Sequence, residues 1–148
     1  MCEQVVKNQF MKTDTVGVIG AGNIGIGVVT DLVLHGINAV VVDISQGQRV
    51  KAQAEILKNI RFAPLLLKGA PRLTKDEALQ RMVFTEDIRQ MSGCDFIVEN
   101  VTEKWEIKKR VYQTLEEVAR PEVCFAANTS CLSVTRIGSV TKRPAQVV

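Results

Sequence analysis

Near the start of the chain, Val16-Gly-Val-Ile-Gly20-Ala-Gly22-Asn23-Ile24-Gly25 spaces three glycines as G-x-G-x-x-G, and an acid, Asp43, closes the next apolar run, Asn38-Ala-Val-Val-Val-Val-Asp43. Such a set can seat a dinucleotide. A pyrophosphate must approach the unpaired backbone N–H groups at a helix N-terminus, where the helix dipole also favours negative charge. Side chains would block that approach. Gly20 permits the tight turn off a strand, Gly22 leaves room for the pyrophosphate, and Gly25 lets the new helix lie close to the sheet, with Asn23 and Ile24 completing the loop. Asp43 lies near the ~20-residue offset expected of a ribose-binding acid. Its carboxylate accepts hydrogen bonds from a ribose 2′-hydroxyl and repels a 2′-phosphate, which favours NAD over NADP. Glycines also recur in turns for conformational reasons alone, so a glycine-rich turn in an α/β domain without a nucleotide is the competing reading.

A loop of this kind needs a strand before it and a helix behind it. Thr15 to Ile19 is a largely β-branched run, and Ile24, Val28, Val29, Leu32 and Val33 recur at helical spacing, so strand, turn and helix are predicted in that order. Gly36 supplies a left-handed C-cap, and Ser45 caps the next helix, whose apolar stripe runs from Arg49 through Leu57 to Ile60. Pro64, which lacks an N–H, then predicts a break or a projecting helical hairpin. Thr74 and Glu77 match a capping box for a helix over Lys75 to Arg81. Further strands are predicted at Met82 to Thr85, Asp95 to Glu99 and Val123 to Ala127. Glu103 to Val118 reads as an amphipathic helix, with Ile107, Val111, Leu115 and Val118 on its apolar face.

Strands alternating with helices imply an α/β fold: a doubly wound, mostly parallel sheet with helices on both faces. Residues 1–13 are polar and aperiodic and read as a flexible arm, leaving 14–148 as one nucleotide-binding domain. The last residues, Ala145-Gln-Val-Val148, read as the opening of a sixth strand, which predicts a piece of a longer protein; a C-terminal edge strand is the alternative.

Composition narrows the function classes. A chain of 148 residues, 46% hydrophobic and 24% charged, suits one globular domain, and a net charge of +3 without a basic block argues against nucleic acid as a partner. No apolar run reaches a membrane span and the first ten residues lack signal-peptide zones, so a cytoplasmic protein with no membrane partner is predicted. Cys2, Cys94, Cys124 and Cys131 form no C-x-x-C pair, so neither a disulfide framework nor a metal site is expected; Cys94 and Cys124 read as small buried apolar residues.

Three separated motifs, the glycine loop with Asp43, Ile97-Val-Glu99-Asn-Val-Thr-Glu103-Lys-Trp-Glu-Ile-Lys108-Lys, and Phe125-Ala-Ala-Asn128-Thr129-Ser130, occur in an order and spacing that resembles the N-terminal NAD-binding domain of L-3-hydroxyacyl-CoA dehydrogenases over residues 15 to 148. The resemblance implies a Rossmann-type domain of an oxidoreductase that oxidises the 3-hydroxyl of a hydroxyacyl thioester with NAD. It implies a homodimer whose second, helical domain is absent from this chain. Gly20, Gly22, Gly25 and Asp43 match the family's NAD fingerprint. Glu103, Lys108 and Asn128 match positions lining the cofactor cleft, and Ser130 matches the serine that meets the substrate oxygen and the nicotinamide side. From charge pattern alone, Glu103 and Lys108 also read as a solvated pair on a charged helix, and Asn128 to Ser130 as turn chemistry.

The chain departs from the family in two respects. The family's general base, a histidine following soon after the last residues here, is missing; the one histidine, His35, sits at the far end of the first helix, so the chain alone is expected to be catalytically incomplete. CoA-using members place a serine and lysines along the helical hairpin after the second strand, positions that fall here near Asn59 and Leu66, with Lys58 and Lys68 close by. The run Pro64 to Leu67 and the string Val98-Glu-Asn-Val-Thr-Glu-Lys-Trp105 look instead like members in polyketide pathways, which act on acyl carrier protein substrates. Competing functions are a non-catalytic NAD-binding or partner-docking module, and a dehydrogenase of a free hydroxy acid or sugar acid.

Overall fold

The computed structural model describes residues 13–148, so the arm predicted at 1–13, with Cys2, lies almost wholly outside the described residues. Five strands appear where the apolar runs place them: β1 Thr15–Ile19, β2 Asn38–Val42, β3 Met82–Thr85, β4 Phe96–Glu99 and β5 Cys124–Ala127. All pair in parallel, in the order β3-β2-β1-β4-β5, with Val18 opposite Val41 on one side and Val98 on the other. Both faces are covered, so side chains of each strand alternate between two cores. One joins Val16, Val18 and Val41 to α1 (Asn23–Leu34) and α2 (Gln46–Leu66); the other joins Ile19, Ile97 and Phe125 to α4 (Trp105–Val118) and α5 (Val134–Gly138).

The predicted punctuation holds at several element ends. Gly36 takes φ +78°, the Ser45 hydroxyl accepts from the Gln48 amide, and Thr74 and Glu77 close a reciprocal capping box on α3 (Lys75–Gln80). Pro64, in contrast, does not break α2. It sits in the last turn, where only the bond to the Ile60 carbonyl is forgone, and the Leu67 amide still reaches the Ala63 carbonyl at 2.8 Å before Gly69, at φ +84°, turns the chain toward α3.

Three further expectations are corrected. Residues 144–146 form a 3-10 turn, so of the strand expected from Ala145 only Val147 and Val148 pair in parallel with β5, the Val148 amide donating to the Phe125 carbonyl at 2.9 Å, and the Arg143 guanidinium anchors the chain just before that turn. That guanidinium pairs with Glu116 at 3.1 Å and lies over the Phe125 ring, 5.0 Å from its centroid. On α1, Ile24 is exposed at the helix start while Ile26 turns inward. Cys94 is fully buried, which pushes its thiol up to about 11, but Cys124 is only half-buried.

α4 is rotated from its predicted face by about one position. Its buried side is Lys108, Tyr112 and Leu115, with Val111 and Val118 at the margin and Ile107 exposed. A lysine occupies a core position.

Candidate functional site

Strand order reverses between β1 and β4, and ligands of open α/β sheets settle beyond the strand ends at such a switch point. A cleft of about 550 Å³ opens there, lined by Gly20, Gly22, Asp43, Gln48, Asn100 and Ile107 among others. Each glycine of the loop has its own reason. Gly20 adopts φ +92° with the Asn100 carbonyl close against it, so a side chain would be both strained and crowded. A Cβ at Gly25 would collide with the Gly20 carbonyl oxygen. At Gly22 a Cβ would meet nothing within 4 Å; the space is open, as a pyrophosphate requires.

Gly22 caps α1 without a side-chain hydrogen bond and the first turn holds no acid, so the amides of Asn23, Ile24 and Gly25 have no intrahelical acceptor and face no competing carboxylate of their own turn. Asp43 ties the loop in place. Its Oδ2 accepts from the Ala21 amide and its Oδ1 from the Ser45 amide, both at 2.9 Å, while Gln48 Nε2 donates to the Ala21 carbonyl at 2.6 Å. Each carboxylate oxygen keeps a lone pair for a ribose hydroxyl. On the opposite wall the Asn100 Nδ2 is buried with no partner among the described residues, while its Oδ1 accepts from Asn128 Nδ2 at 3.0 Å. Open space above a bare helix end, an acid beside it and a spare donor opposite fit a dinucleotide.

A sequence model described as 3-hydroxyacyl-CoA dehydrogenase, NAD binding domain, matches residues 15–148. The chain belongs to this family. It is 33% identical over 133 residues to a 3-hydroxybutyryl-CoA dehydrogenase of Bradyrhizobium diazoefficiens, covering 90% of this chain and 45% of that protein. Against a 3-hydroxyadipyl-CoA dehydrogenase of Escherichia coli it is 30% identical, covering 93% and 29%. The solved (S)-3-hydroxybutyryl-CoA dehydrogenase of Ralstonia eutropha superposes with a TM-score of 0.81 at 28% identity, covering 91% of this chain and 47% of that one. The chain thus spans about half the length, or less, of the relatives it matches. As a member of an NAD-binding domain family it takes NAD as cofactor.

The other motif residues gather at the ends of β4 and β5, not along an exposed helix. Lys108 is fully buried, its ammonium 2.9 Å from both oxygens of the equally buried Glu99, 2.9 Å from the Asn128 carbonyl and 3.4 Å from Glu103 Oε2. The solvated-pair reading is therefore wrong for Lys108, and so is the expectation that it lines the cofactor cleft, since it exposes no side-chain surface to a bound cofactor. Burial pushes the Glu99 carboxyl up, and the Lys108 ammonium and the Val101 amide pull it back. Tyr112 stands beside it, its hydroxyl pushed up by burial and by the Glu99 charge.

Glu103, about one-third exposed, gathers the loop after β5: its Oε1 accepts from the Thr129 hydroxyl, the Ser130 amide at 3.0 Å and the Cys131 amide at 3.1 Å. The Thr129 hydroxyl first, and then these amides, hold its carboxyl down at about 2. A depressed carboxylate contributes its stabilisation above the unfolded-state value near 4.5 and loses it as pH falls through about 2. An NMR acid titration should accordingly show the Ser130 and Cys131 amide signals steady to below pH 4 and shifting near pH 2, a step that Glu103→Gln removes.

Ser130 is exposed on this loop, its hydroxyl 3.5 Å from Cys131 Sγ. His35, at the C-terminal end of α1, has Nδ1 2.8 Å from the Asp31 carbonyl and lies at the opposite end of the helix from the glycine loop. Glu99 and Asn100 escaped the sequence reading as site residues. The available signal was an acid closing an apolar strand, with a lysine nine residues on.

Proposed function

We propose that the protein containing this chain oxidises the 3-hydroxyl of a hydroxyacyl thioester to the ketone. NAD supplies the hydride acceptor. The reading is supported chiefly by the family match across residues 15–148 joined to a glycine loop whose helix end is open for a pyrophosphate. Domain 14–148 then holds the cofactor: Gly20, Gly22, Asn23, Ile24 and Gly25 cradle the pyrophosphate, Asp43 binds the adenosine ribose, and Asn128 and Glu103 face the nicotinamide half. Ser130 offers a hydroxyl to the reacting oxygen. The general base, which must reach the hydroxyl proton, comes from outside this chain.

The carrier of the acyl group is CoA or an acyl carrier protein. Exposed Phe62, Leu65, Leu66 and Leu67 at the end of α2, with Lys58, Arg61 and Lys68 among them, suit an anionic carrier with an apolar face. The same reading has the complete protein act as a cytoplasmic homodimer in fatty acid or polyketide metabolism.

Turnover of the complete protein on a hydroxyacyl-CoA, on the same acyl group bound to a carrier protein, and on a free hydroxy acid tests this. Oxidation of the free acid alone would replace the thioester reading, and NAD binding without turnover on all three would make the protein a binding module. In the active protein, Ser130→Ala should lower kcat about tenfold to a hundredfold while NAD affinity changes little. Equal losses in both would make Ser130 a cofactor contact. Asp43→Ala should weaken NAD binding by about 1.5–3 kcal/mol and narrow its advantage over NADP, read by calorimetry with both nucleotides.

A further inference from the structure

We propose that Glu99 is a positioning residue: through Lys108 it holds Glu103 and the loop 128–131 in the arrangement that presents the Ser130 hydroxyl to the substrate. The inference rests on the role proposed above for Ser130.

Neither Glu99 nor Lys108 exposes any side-chain surface, so neither can touch cofactor or substrate without the fold opening. Their task is internal. The three protons of the ammonium are shared among acceptors from three places: both Glu99 oxygens at the end of β4, the Asn128 carbonyl after β5, and Glu103 between β4 and α4. Glu99 is itself aimed by the Val101 amide, 2.6 Å from its Oε1. From Glu103 the chain of contacts reaches the Ser130 and Cys131 amides. A buried ion pair is a poor source of stability, since apolar residues of similar volume often serve as well. What apolar residues cannot do is grip a carbonyl and a second carboxylate at fixed angles. That grip sets where the loop carrying Ser130 lies, much as outer contacts orient the groups that meet a ligand.

The test uses the complete protein with NAD and a 3-hydroxyacyl thioester, and two variants. Glu99→Gln removes the anion and leaves the shape. The double variant Glu99→Gln with Lys108→Met removes both charges, so that a loss of folding and a loss of positioning are separated. In both, kcat should fall about tenfold or more, and by a larger factor than NAD affinity, which loses only what Glu103 and Asn128 contribute. Amide hydrogen exchange at Ser130 and Cys131 should quicken about tenfold, with the amides of β1 and β2 exchanging as in the unaltered protein. Adding Ser130→Ala to the double variant should cost less than about twofold more, because the hydroxyl is already misplaced.

A double variant with unaltered turnover and unaltered protection at Ser130 and Cys131 overturns the proposal, as does full additivity with Ser130→Ala. A Glu99→Gln protein that does not fold leaves the decision to the double variant. Unaltered protein that neither binds NAD nor oxidises any thioester removes the functional reading instead, and the exchange measurement then still decides whether Glu99 sets the loop.

Discussion

Gly22→Ala is expected to leave the melting temperature of the domain nearly unchanged and to weaken NAD binding by about 3 kcal/mol, on the order of a hundredfold. Gly25→Ala, three positions on, is expected to do the reverse in order of cause: it unsettles the fold first and loses the cofactor as a consequence. At Gly22 the backbone has φ −73°, which alanine adopts freely, and the added methyl meets no protein atom within 4 Å. Alanine is a poorer N-cap than glycine, but it also restricts the unfolded chain, and the two effects, each about 1 kcal/mol or less, oppose one another. The methyl would occupy the space above the helix end and hold a pyrophosphate off the amides. At Gly25 the Cβ runs into the Gly20 carbonyl oxygen, a backbone atom that cannot swing aside, so α1 must back away from β1 at a cost of about 1–3 kcal/mol or more. Thermal melts beside calorimetry with NAD distinguish the pair. A Gly22→Ala protein that binds NAD normally would show that the cofactor lies elsewhere.

Lys108→Met should destabilise the domain by about 3–5 kcal/mol, the usual result of stranding one charge of a buried pair. The loss carries a pH signature. Without the ammonium, burial dominates and raises the Glu99 carboxyl further above its unfolded-state value. A carboxyl raised in the folded state has its full stability below the unfolded-state pKa and loses it as pH climbs through the folded one. Denaturant titrations of the variant should therefore show it nearer the parent at pH 4 and falling behind toward pH 8. Glu99→Gln introduced alongside should restore much of the stability and flatten the profile. A single variant equally destabilised at both pH values would mean that packing, and not charge, is what Lys108 contributes.

Much of the fold was legible because local and tertiary requirements agree along most of the chain. Val16 to Ile19 and Ala39 to Val42 are apolar because both faces of a parallel strand are buried, and Thr74 with Glu77 caps a helix whatever surrounds it. The glycine loop could be read residue by residue, since its logic concerns backbone space alone. Where the reading failed, tertiary partners had reversed a local preference. Lys108 looks like solvent-facing charge until Glu99, Glu103 and the Asn128 carbonyl surround it, and that reversal turned the whole face of α4 by a position. Pro64 looks like a helix breaker, but two residues from a helix end it costs little. Ser130 and Glu103 were found only through the spacing of a family motif; nothing in their own neighbourhood separates them from an ordinary turn.

Asp43 constrains any attempt to redesign the domain's nucleotide preference. The usual exchange in favour of a phosphorylated ribose removes the acid and brings in a small or basic residue. Here the same carboxylate also receives the Ala21 and Ser45 amides, so its removal unfastens the glycine loop and the turn into α2 along with the ribose contact. Serine or asparagine at this position, able to accept from one of those amides, is the better starting point for laboratory evolution, and a bare alanine the worse.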